Sequence, residues 1–447
     1  MLRITAFICL FACSNASGQN TTIDEYIRTG LGNNLSVAQQ HLNLEKAMLN
    51  LKIAKGMFYP SLNFQSDYTY AAGGRNFVLP LGDLLNPIHN SLNELTGTNN
   101  FNNVPNQEFN LSANDYYINK VNLTLPLVDA EIVLNKKIKK EAINQQQAEV
   151  LVYKRGLVQD IKIAYYNVSI SEKQIAIFKS ANKLLQDNYK ITNARVANGK
   201  VLKGNALRIL SDINTNEAKL AETQNNLKTA KAYLNFLINE PLDKEVIIDT
   251  TGFTQEGNII HSQTDVTIER EEITSLKSAR QQAHLATMQQ KSEFLPKITA
   301  YLDVGYQSTY LKINPGTSYL LGGFTLKWNL FNGFQDKNKI AFTKKNEAIY
   351  EAKIQQSLQQ FEYQINAAEN DLATARAQLK SSGENLNYLK EHYREIKSRY
   401  DQGMVLLVEL NDAFTQFING RLNFELSNTT VLIKKAEAER ASASYRF

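Results

Sequence analysis

A long heptad seam is the feature that most restricts the fold of this chain. From Ile354 to Tyr400, the seam residues follow one another at alternating steps of four and three. They are Ile354, Leu358, Phe361, Ile365, Ala368, Leu372, Ala375, Leu379, Ser382, Leu386, Leu389, Tyr393, Ile396 and Tyr400. This period keeps one helix face apolar over many turns and predicts a long helix that packs against partners along its whole length.

The same pattern occurs earlier in the chain. A more polar seam covers 150–196 and ends just before Gly199, as the later seam ends just before Gly403. The segment 58–62, Phe-Tyr-Pro-Ser-Leu, returns at 294–298 as Phe-Leu-Pro-Lys-Ile. Self-similarity of this kind indicates two related structural repeats.

The two repeats differ in length because one of them carries an insertion. Pro60 and Pro296 are farther apart in sequence than Gly199 and Gly403 are, so the first repeat carries extra residues after Pro60. The asparagine-rich stretch 71–116 is the candidate, and we interpret it as a long surface loop.

Apolar and polar residues alternate on both sides of this loop and again in the second repeat. Alternation with a period of two predicts four β-strands in two hairpins, each with one polar face. The predicted first repeat covers 19–240, with strands near 61–70 and 117–127 and a helical hairpin 130–239. An irregular connection 241–268 follows and is expected to form an equatorial belt. The predicted second repeat covers 269–447, with strands near 297–306 and 322–331 and a helical hairpin 333–441.

The strand lengths suit a membrane. Strands of about 9–11 residues cross a bilayer when tilted, although a soluble sheet also shows such alternation. Four strands are too few to close a membrane barrel, whose smallest single-chain form has about eight. A shared barrel is therefore expected. Two copies would supply about eight strands around an interior filled by side chains, whereas three would supply about twelve and begin to leave a lumen, so three are favoured if the task is transport. The helical arm 131–196 would reach roughly 100 Å.

The N-terminus has the pattern of a signal peptide. Arg3 precedes an apolar run at 4–12, and small residues follow up to Gly18, so 1–18 is the predicted signal. Both cysteines, Cys9 and Cys13, lie within it. Cleavage after Gly18 would leave a chain without cysteine outside the cytoplasm. In an alternative reading, Cys13 is the acylated first residue of a lipoprotein.

The whole mature chain resembles the TolC-like outer-membrane efflux protein family. The matching features are the helix opening Thr22-Ile23-Asp24-Glu25-Tyr26, the pair Asn33-Asn34, the Phe-x-Pro-x-Leu/Ile segments, the duplicated hairpins and the tip sequence 399–403, Arg-Tyr-Asp-Gln-Gly. The resemblance implies a mainly α fold with a small membrane β part. In it, a homotrimer forms a twelve-stranded β-barrel in the outer membrane, four strands per chain, which continues into a long periplasmic α-helical coiled-coil barrel.

The resemblance also implies a function. Such a channel passively conducts exported molecules in efflux or type I secretion. It receives them from an inner-membrane pump of the RND, ABC or a similar class through a periplasmic adaptor, also called a membrane fusion protein. The adaptor would dock on the helix tips. These comprise Asn198, Gly199, Lys200, Val201 and Leu202, together with Gln402, Gly403, Met404, Val405 and Leu406.

Family features also point to residues of a periplasmic aperture. Glu409 and Asp412 stand where the family has two inward-facing acids after the second tip, and rings of carboxylates would attract cations. The family's closed state joins a tyrosine, here Tyr400, to an acid that is Asn205 in this chain. Because Asn205 is uncharged, we expect a weaker lock.

Two lysine clusters follow the predicted barrel strands. They are Lys136, Lys137, Lys139 and Lys140 in the first repeat and Lys337, Lys339, Lys344 and Lys345 in the second. In a trimer they would ring the tunnel below the membrane and could contact lipid phosphates at about 1 kcal/mol each. Solvated helix faces are an equally good interpretation.

Other functions have weaker support. The net charge is only +5, without an arginine-rich stretch, which argues against nucleic acid as a partner. The five histidines are scattered, and no nucleotide-binding or nucleophile motif is visible, so we predict no metal, no cofactor and no enzyme. The alternative function is that of an envelope-associated or secreted coiled-coil structural protein without a pore.

Overall fold

The computed structural model describes residues 23–110, 115–248, 270–309 and 315–447. The predicted signal peptide and most of the predicted connection 241–268 lie outside these residues. The helices are α1 Ile23–Asn33, α2 Leu35–Gly56, α3 Leu81–Thr96, α4 Ala130–Ala197, α5 Lys203–Leu237, α6 Glu271–Ser292, α7 Gln335–Asp401 and α8 Leu407–Ser442. The strands are β1 Ser61–Thr69, β2 Asn76–Leu79, β3 Gln107–Asn110, β4 Tyr116–Val128, β5 Lys297–Thr309 and β6 Ser318–Lys327.

The chain divides into two compact units. The helical unit takes its described residues from 1–47, 141–280 and 348–447, and the strand unit takes its own from 48–140 and 281–347. Residues that are distant in sequence therefore meet inside each unit.

The strand unit contains a four-stranded antiparallel sheet in the order β1-β4-β5-β6. Strand alternation and this register separate the side chains by chemistry. One face carries Asn63, Gln65, Asp67, Lys120, Asn122, Thr124, Thr299, Asp303 and Thr325. The other carries Leu62, Phe64, Val121, Leu123, Leu302, Val304, Leu320, Phe324 and Leu326. The apolar face is uncovered in the single chain, with Phe64 72% and Phe324 75% exposed.

Two features of the strand unit differ from a simple pair of hairpins. The insertion predicted as a surface loop has its own secondary structure, because β2 pairs antiparallel with β3 and α3 lies between them in sequence. β6 starts before the predicted residue 322 and ends at Lys327. Trp328 therefore lies outside the strand, and its indole N–H donates to the carbonyl of Phe294 at 3.0 Å.

The core of the helical unit forms where α1, α4 and α5 meet. Ile161 and Leu234 are fully buried in it, next to Ile27 and Tyr165. A Cβ atom on Gly30 would collide with the tip of the Ile161 side chain, so a larger residue at this position would require the fully buried Ile161 to repack.

Asn34 connects the short first helix to the rest of the helical unit. Its side-chain oxygen accepts the backbone N–H groups of Ser36 and Val37, which caps α2. Its amide group donates to the carbonyl of Leu237 at 2.8 Å, near the end of α5. One buried side chain therefore sets both the break between α1 and α2 and their position.

A group of charged side chains joins α6 to the C-terminal part of α8 in the helical unit. Arg270 and Arg440 both donate to Oε1 of Glu272, at 2.9 and 2.7 Å. Arg270 also donates to the carbonyl of Ala441 and lies 3.7 Å from the ring centroid of Phe361. Burial acts to raise the pKa of Glu272, but the hydrogen bonds from the two arginines outweigh it and lower the pKa to about 2.

The depressed pKa of Glu272 predicts acid sensitivity. A carboxyl whose pKa is lowered by folding stabilises the protein fully above its unfolded pKa of 4.5, and this stabilisation is lost as the pH falls to about 2. Between pH 5 and pH 2, the free energy of unfolding of the wild type should fall by about 2–3 kcal/mol more than that of Glu272→Gln. Urea unfolding at several pH values measures this difference. Glu391→Gln, which changes an exposed acid, is the control, and parallel pH curves for wild type and Glu272→Gln would contradict the prediction.

None of the helices in the described part of the chain combines the length and the apolar character that a membrane-spanning helix requires. In the same part of the chain, no three histidine, cysteine or acidic side chains are grouped so that they could hold a metal ion.

Candidate functional site

Two tight turns end the long helices of the helical unit. Gly199, between α4 and α5, and Gly403, between α7 and α8, have φ angles of +68° and +74°. The following N–H groups, of Lys200 and Met404, each return to a carbonyl five residues back at 2.9 Å. This is a Schellman turn, which requires the left-handed conformation that glycine adopts without strain.

The predicted docking residues lie in these two turns. Asn198, Gly199, Lys200, Val201 and Leu202 connect α4 to α5, and Gln402, Gly403, Met404, Val405 and Leu406 connect α7 to α8. All are exposed except the half-buried Val201 and Val405. Large apolar side chains stand out to solvent, with Leu202 81% and both Met404 and Leu406 70% exposed. Such exposure is typical of a surface that binds another protein.

A shared apolar core holds the two turns in one place. Ile209 on α5 is fully buried against Leu410 and Phe414 on α8 and against residues of α4. Tyr393 on α7 stacks on Phe417, with ring centroids 5.5 Å apart and planes 3° from parallel. The four helix ends therefore form one packed tip.

The two predicted aperture acids have different partners at this tip. The carboxylate of Glu409 accepts the backbone N–H of Leu406 at 3.2 Å, in the first turn of α8. The carboxylate of Asp412 accepts from Nη2 of Arg208 at 3.4 Å, and both side chains are at least half exposed. Glu409 thus caps its own helix, whereas Asp412 joins α8 to α5.

Arg208, the partner of Asp412, was not among the residues predicted for the site. It lies as far beyond Gly199 as Asp412 lies beyond Gly403, so the two residues occupy equivalent places in the two predicted repeats. That equivalence, together with opposite charge, is the signal that could have identified the pair. The pair also influences Asp212, whose pKa is raised by burial and by the charge of Asp412, against the opposing effect of Arg208.

Tyr400 and Asn205 are not hydrogen-bonded to each other in the described part of the chain. The ring of Tyr400 instead lies under the guanidinium of Arg195, with 5.1 Å between Cζ and the ring centroid. The backbone N–H of Asn205 donates to the carbonyl of Leu202 at 3.0 Å. The single chain therefore places both residues at the tip without forming the predicted lock.

A small cavity of about 120 Å³ lies behind the tip, between α4, α5 and α8. Asp212, Asn216 and Asn411 supply part of its lining. Asn411 is only 4% exposed, and its amide nitrogen and oxygen have no hydrogen-bond partner among the described residues. The size and polar lining suit a few water molecules.

The two predicted lysine clusters lie in the strand unit, within the first three turns of α4 and α7. All eight side chains are exposed except that of Lys139, which is half buried. Lys136 lies 5.7 Å from the ring centroid of Phe58, and Lys339 forms an ion pair of 3.7 Å with Asp336.

A sheet with one apolar and one polar face, together with long antiparallel helices that end in tight turns, defines a class of outer-membrane channels. The chain belongs to the outer membrane efflux protein family, whose family model matches residues 27–240 and 266–441. Membership places the chain in the outer membrane as an efflux channel. This agrees with the TolC-like resemblance found in the sequence.

Solved structures have the same fold at low sequence identity. A structure of CusC has a TM-score of 0.77 at 14% identity and covers 95% of this chain and 92% of that chain. The Campylobacter jejuni CmeC outer membrane channel has a TM-score of 0.75 at 14% identity, with 94% and 85% covered. The open state of the Neisseria gonorrhoeae MtrE outer membrane channel has a TM-score of 0.74 at 15% identity, with 94% and 88% covered. No curated protein sequence matches the chain.

Proposed function

We propose that this chain is the outer-membrane duct of a tripartite efflux or type I secretion system. It would passively conduct substrates from a periplasmic adaptor and an inner-membrane pump to the exterior. The observation that carries the proposal is the sheet of the strand unit, which has an exposed apolar face, a polar opposite face and two open edges.

The open edges argue for a homotrimer. β1 and β6 are the outer strands of the sheet, and a strand edge in lipid must be paired because no water is present to satisfy its backbone groups. Three copies would supply about twelve strands, enough to close a barrel and leave a lumen lined by the polar faces.

The tip suits the docking of an adaptor. Leu202, Met404 and Leu406 expose apolar surface at the end of the helical unit, on turns whose left-handed residue is glycine. An inner-membrane pump of the RND, ABC or a similar class would then deliver substrate through the adaptor.

We place the periplasmic aperture at the same tip. Glu409 and Asp412 would supply carboxylates to it, and Tyr400 and Asn205 would lie beside them. In the single chain Arg208 offsets part of the charge of Asp412. The aperture of this chain is therefore expected to select cations chiefly through Glu409 and to depend on whether Arg208 stays paired.

The exposed lysines suit contact with lipid phosphates. In the strand unit, Lys136 and Lys337 lie in the helices α4 and α7, which come next in the chain after β4 and β6, the strands expected to cross the membrane. An ammonium group at a membrane surface contributes about 1 kcal/mol of attraction to anionic lipid.

The alternative function, a coiled-coil structural protein without a pore, has less support. The heptad seams fit such a protein equally well. However, it would require the apolar face of the sheet to be covered by protein, and Phe64, Leu320 and Phe324 are each more than two-thirds exposed.

The proposal predicts the location and mass of the particle. Three chains of 50.5 kDa, less their signal peptides, should give an outer-membrane particle of about 150 kDa protein mass by light scattering in detergent. Phe324→Asp should greatly reduce this trimer, because each copy loses an apolar side chain facing lipid and gains a charge there, at a cost somewhat below the ~2–4 kcal/mol of a lysine or arginine at the bilayer midplane. Thr325→Asp, on the neighbouring residue of the polar face, should leave it intact.

Fractionation of the native envelope and light scattering together decide the outcome. A water-soluble monomer or dimer of the wild type would favour the structural protein instead. Equal effects of Phe324→Asp and Thr325→Asp would show that the face assigned to lipid is wrong.

A further inference from the structure

Helix α3 lies in the insertion between β1 and β4 and turns its polar side toward another part of the same insertion. Four side chains of α3, Asp83, Asn86, His89 and Asn93, take part in hydrogen bonds to the returning segment 101–106. The side chain of Asn86 donates to the backbone carbonyl of Val104 and accepts from its N–H. Asn93 forms the same pair of hydrogen bonds with the backbone of Phe101. The polar side of the helix is therefore used inside the insertion.

A close approach fixes this orientation. A Cβ atom on Gly82 would lie only 2.5 Å from the carbonyl oxygen of Val104 and 2.8 Å from Oδ1 of Asn106. The start of α3 is thus pressed against the returning segment. The helix cannot easily rotate about its axis to bring its other side inward.

The opposite side of α3 is apolar and exposed. Leu84 is 63%, Ile88 56% and Leu95 84% exposed, and Leu85 and Leu92 are exposed as well. An amphipathic helix on a globular protein normally buries its apolar side, so this arrangement is inverted. A surface of this kind is typical of a binding site.

The spacing of the exposed residues favours a helix as the partner. Leu85, Ile88, Leu92 and Leu95 follow one another at steps of three, four and three, the seam of a helix that packs against other helices. The helix contains Asp83 and Glu94 but no lysine or arginine. It therefore lacks the basic side chains that attract an amphipathic helix to an anionic lipid surface.

The place of the insertion favours copies of this chain. The insertion leaves the sheet at Thr69, the end of edge strand β1, where the proposed trimer needs a neighbouring copy. Three α3 helices would then be tethered close to one another. Tethering of this kind raises local concentration to about the millimolar range, which lets even a short apolar seam associate.

We propose that the three α3 helices of the trimer pack against one another through Leu85, Ile88, Leu92 and Leu95. They form a small helical cap next to the residues where β1 ends. The proposal rests on the homotrimer of the proposed function and adds to it a second contact between copies, outside the barrel.

Single cysteine substitutions test the cap in the full-length channel. Both native cysteines lie in the predicted signal peptide, so an introduced cysteine is the thiol that reacts, and the unsubstituted chain is the blank. Ile88→Cys is placed on the seam, and Asn90→Cys is the control, on the opposite side of the same helix and also exposed. A short bis-maleimide should give about tenfold more cross-linked dimer with Ile88→Cys than with Asn90→Cys. Leu92→Cys, a second seam position, should behave like Ile88→Cys.

The outcomes separate this inference from the proposed function. Light scattering shows whether each variant is a trimer. A trimer with equally weak cross-linking of Ile88→Cys, Leu92→Cys and Asn90→Cys overturns the cap and leaves the duct standing. Loss of the trimer in the unsubstituted chain removes both. Quenching of a fluorophore on Ile88→Cys by spin-labelled lipid, without cross-linking, would assign the seam to the outer leaflet and also overturn the cap.

Discussion

Replacement of Arg155 by methionine is expected to lower the free energy of unfolding by about 3–5 kcal/mol. The Arg155 side chain on α4 is only 6% exposed and forms two hydrogen bonds with Glu271, one of them from Nε at 3.0 Å. Its Nη1 donates to the carbonyl of Tyr445 at 2.8 Å, and its guanidinium lies 5.2 Å from the ring centroid of Phe447. The variant leaves a largely buried carboxylate and a carbonyl without their donor.

A second substitution separates the two causes of this loss. Removing both charges, in Arg155→Met with Glu271→Gln, should restore at least about 2 kcal/mol, because an unpaired buried charge costs more than an absent pair. Arg394→Met is the surface control, since Arg394 and Glu391 are 80% and 64% exposed. It should change stability by less than about 0.5 kcal/mol.

Equilibrium urea unfolding of the detergent-extracted protein, followed by circular dichroism, measures these differences. A double variant that is less stable than Arg155→Met alone would show that Glu271 has a role beyond its pairing. An Arg155→Met variant as stable as Arg394→Met would contradict the buried network itself.

Substitutions at the proposed aperture should change ion selectivity in opposite directions. A carboxylate about 8 Å from a passing cation contributes about 0.5 kcal/mol in water, so a ring of three contributes about 1.5 kcal/mol, or about a tenfold enrichment of cations, and it repels anions by a similar amount. Glu409→Gln should therefore lower the cation-to-anion permeability ratio by at least about tenfold in dilute salt. Arg208→Gln should raise the ratio, because it leaves Asp412 without the guanidinium that offsets its charge.

Reversal potentials of single channels in a salt gradient measure the ratio. Glu391→Gln removes a negative charge of the same size from an exposed position on α7 and is the matched control. Both effects should shrink as ionic strength rises, because salt screens exposed charges. A change of the same sign in Glu409→Gln and Arg208→Gln would show that Arg208 does not act through Asp412.

Local periodicity predicted much of the fold. All the seam residues from Ile354 to Tyr400 are buried or half buried in α7, because side chains three and four positions apart share one helix face. Alternation likewise sorted the strand residues onto a polar and an apolar face. Gly199 and Gly403 marked both turns, since few other residues adopt a positive φ without strain.

The candidate site was only partly accessible from the sequence. The two glycines indicated the tip and the family resemblance implied Glu409 and Asp412, but neither gave the partner of each acid. Arg208 meets Asp412 because α5 and α8 pack side by side over Ile209 and Leu410, and no local pattern reports which two helices are neighbours.

Outside the insertion 71–116, the sequence by itself determined which segments are helical or extended and which side of the strands and long helices is apolar, because these properties depend on neighbours within a few positions along the chain. Only the tertiary structure decided what covers each apolar side. It placed Arg155 against Glu271 and Tyr445, and it turned the polar side of α3 inward and its leucines outward. The physical reason is that such contacts join residues far apart in the chain, where packing and hydrogen bonding with the returning segment outweigh the preference of the isolated helix.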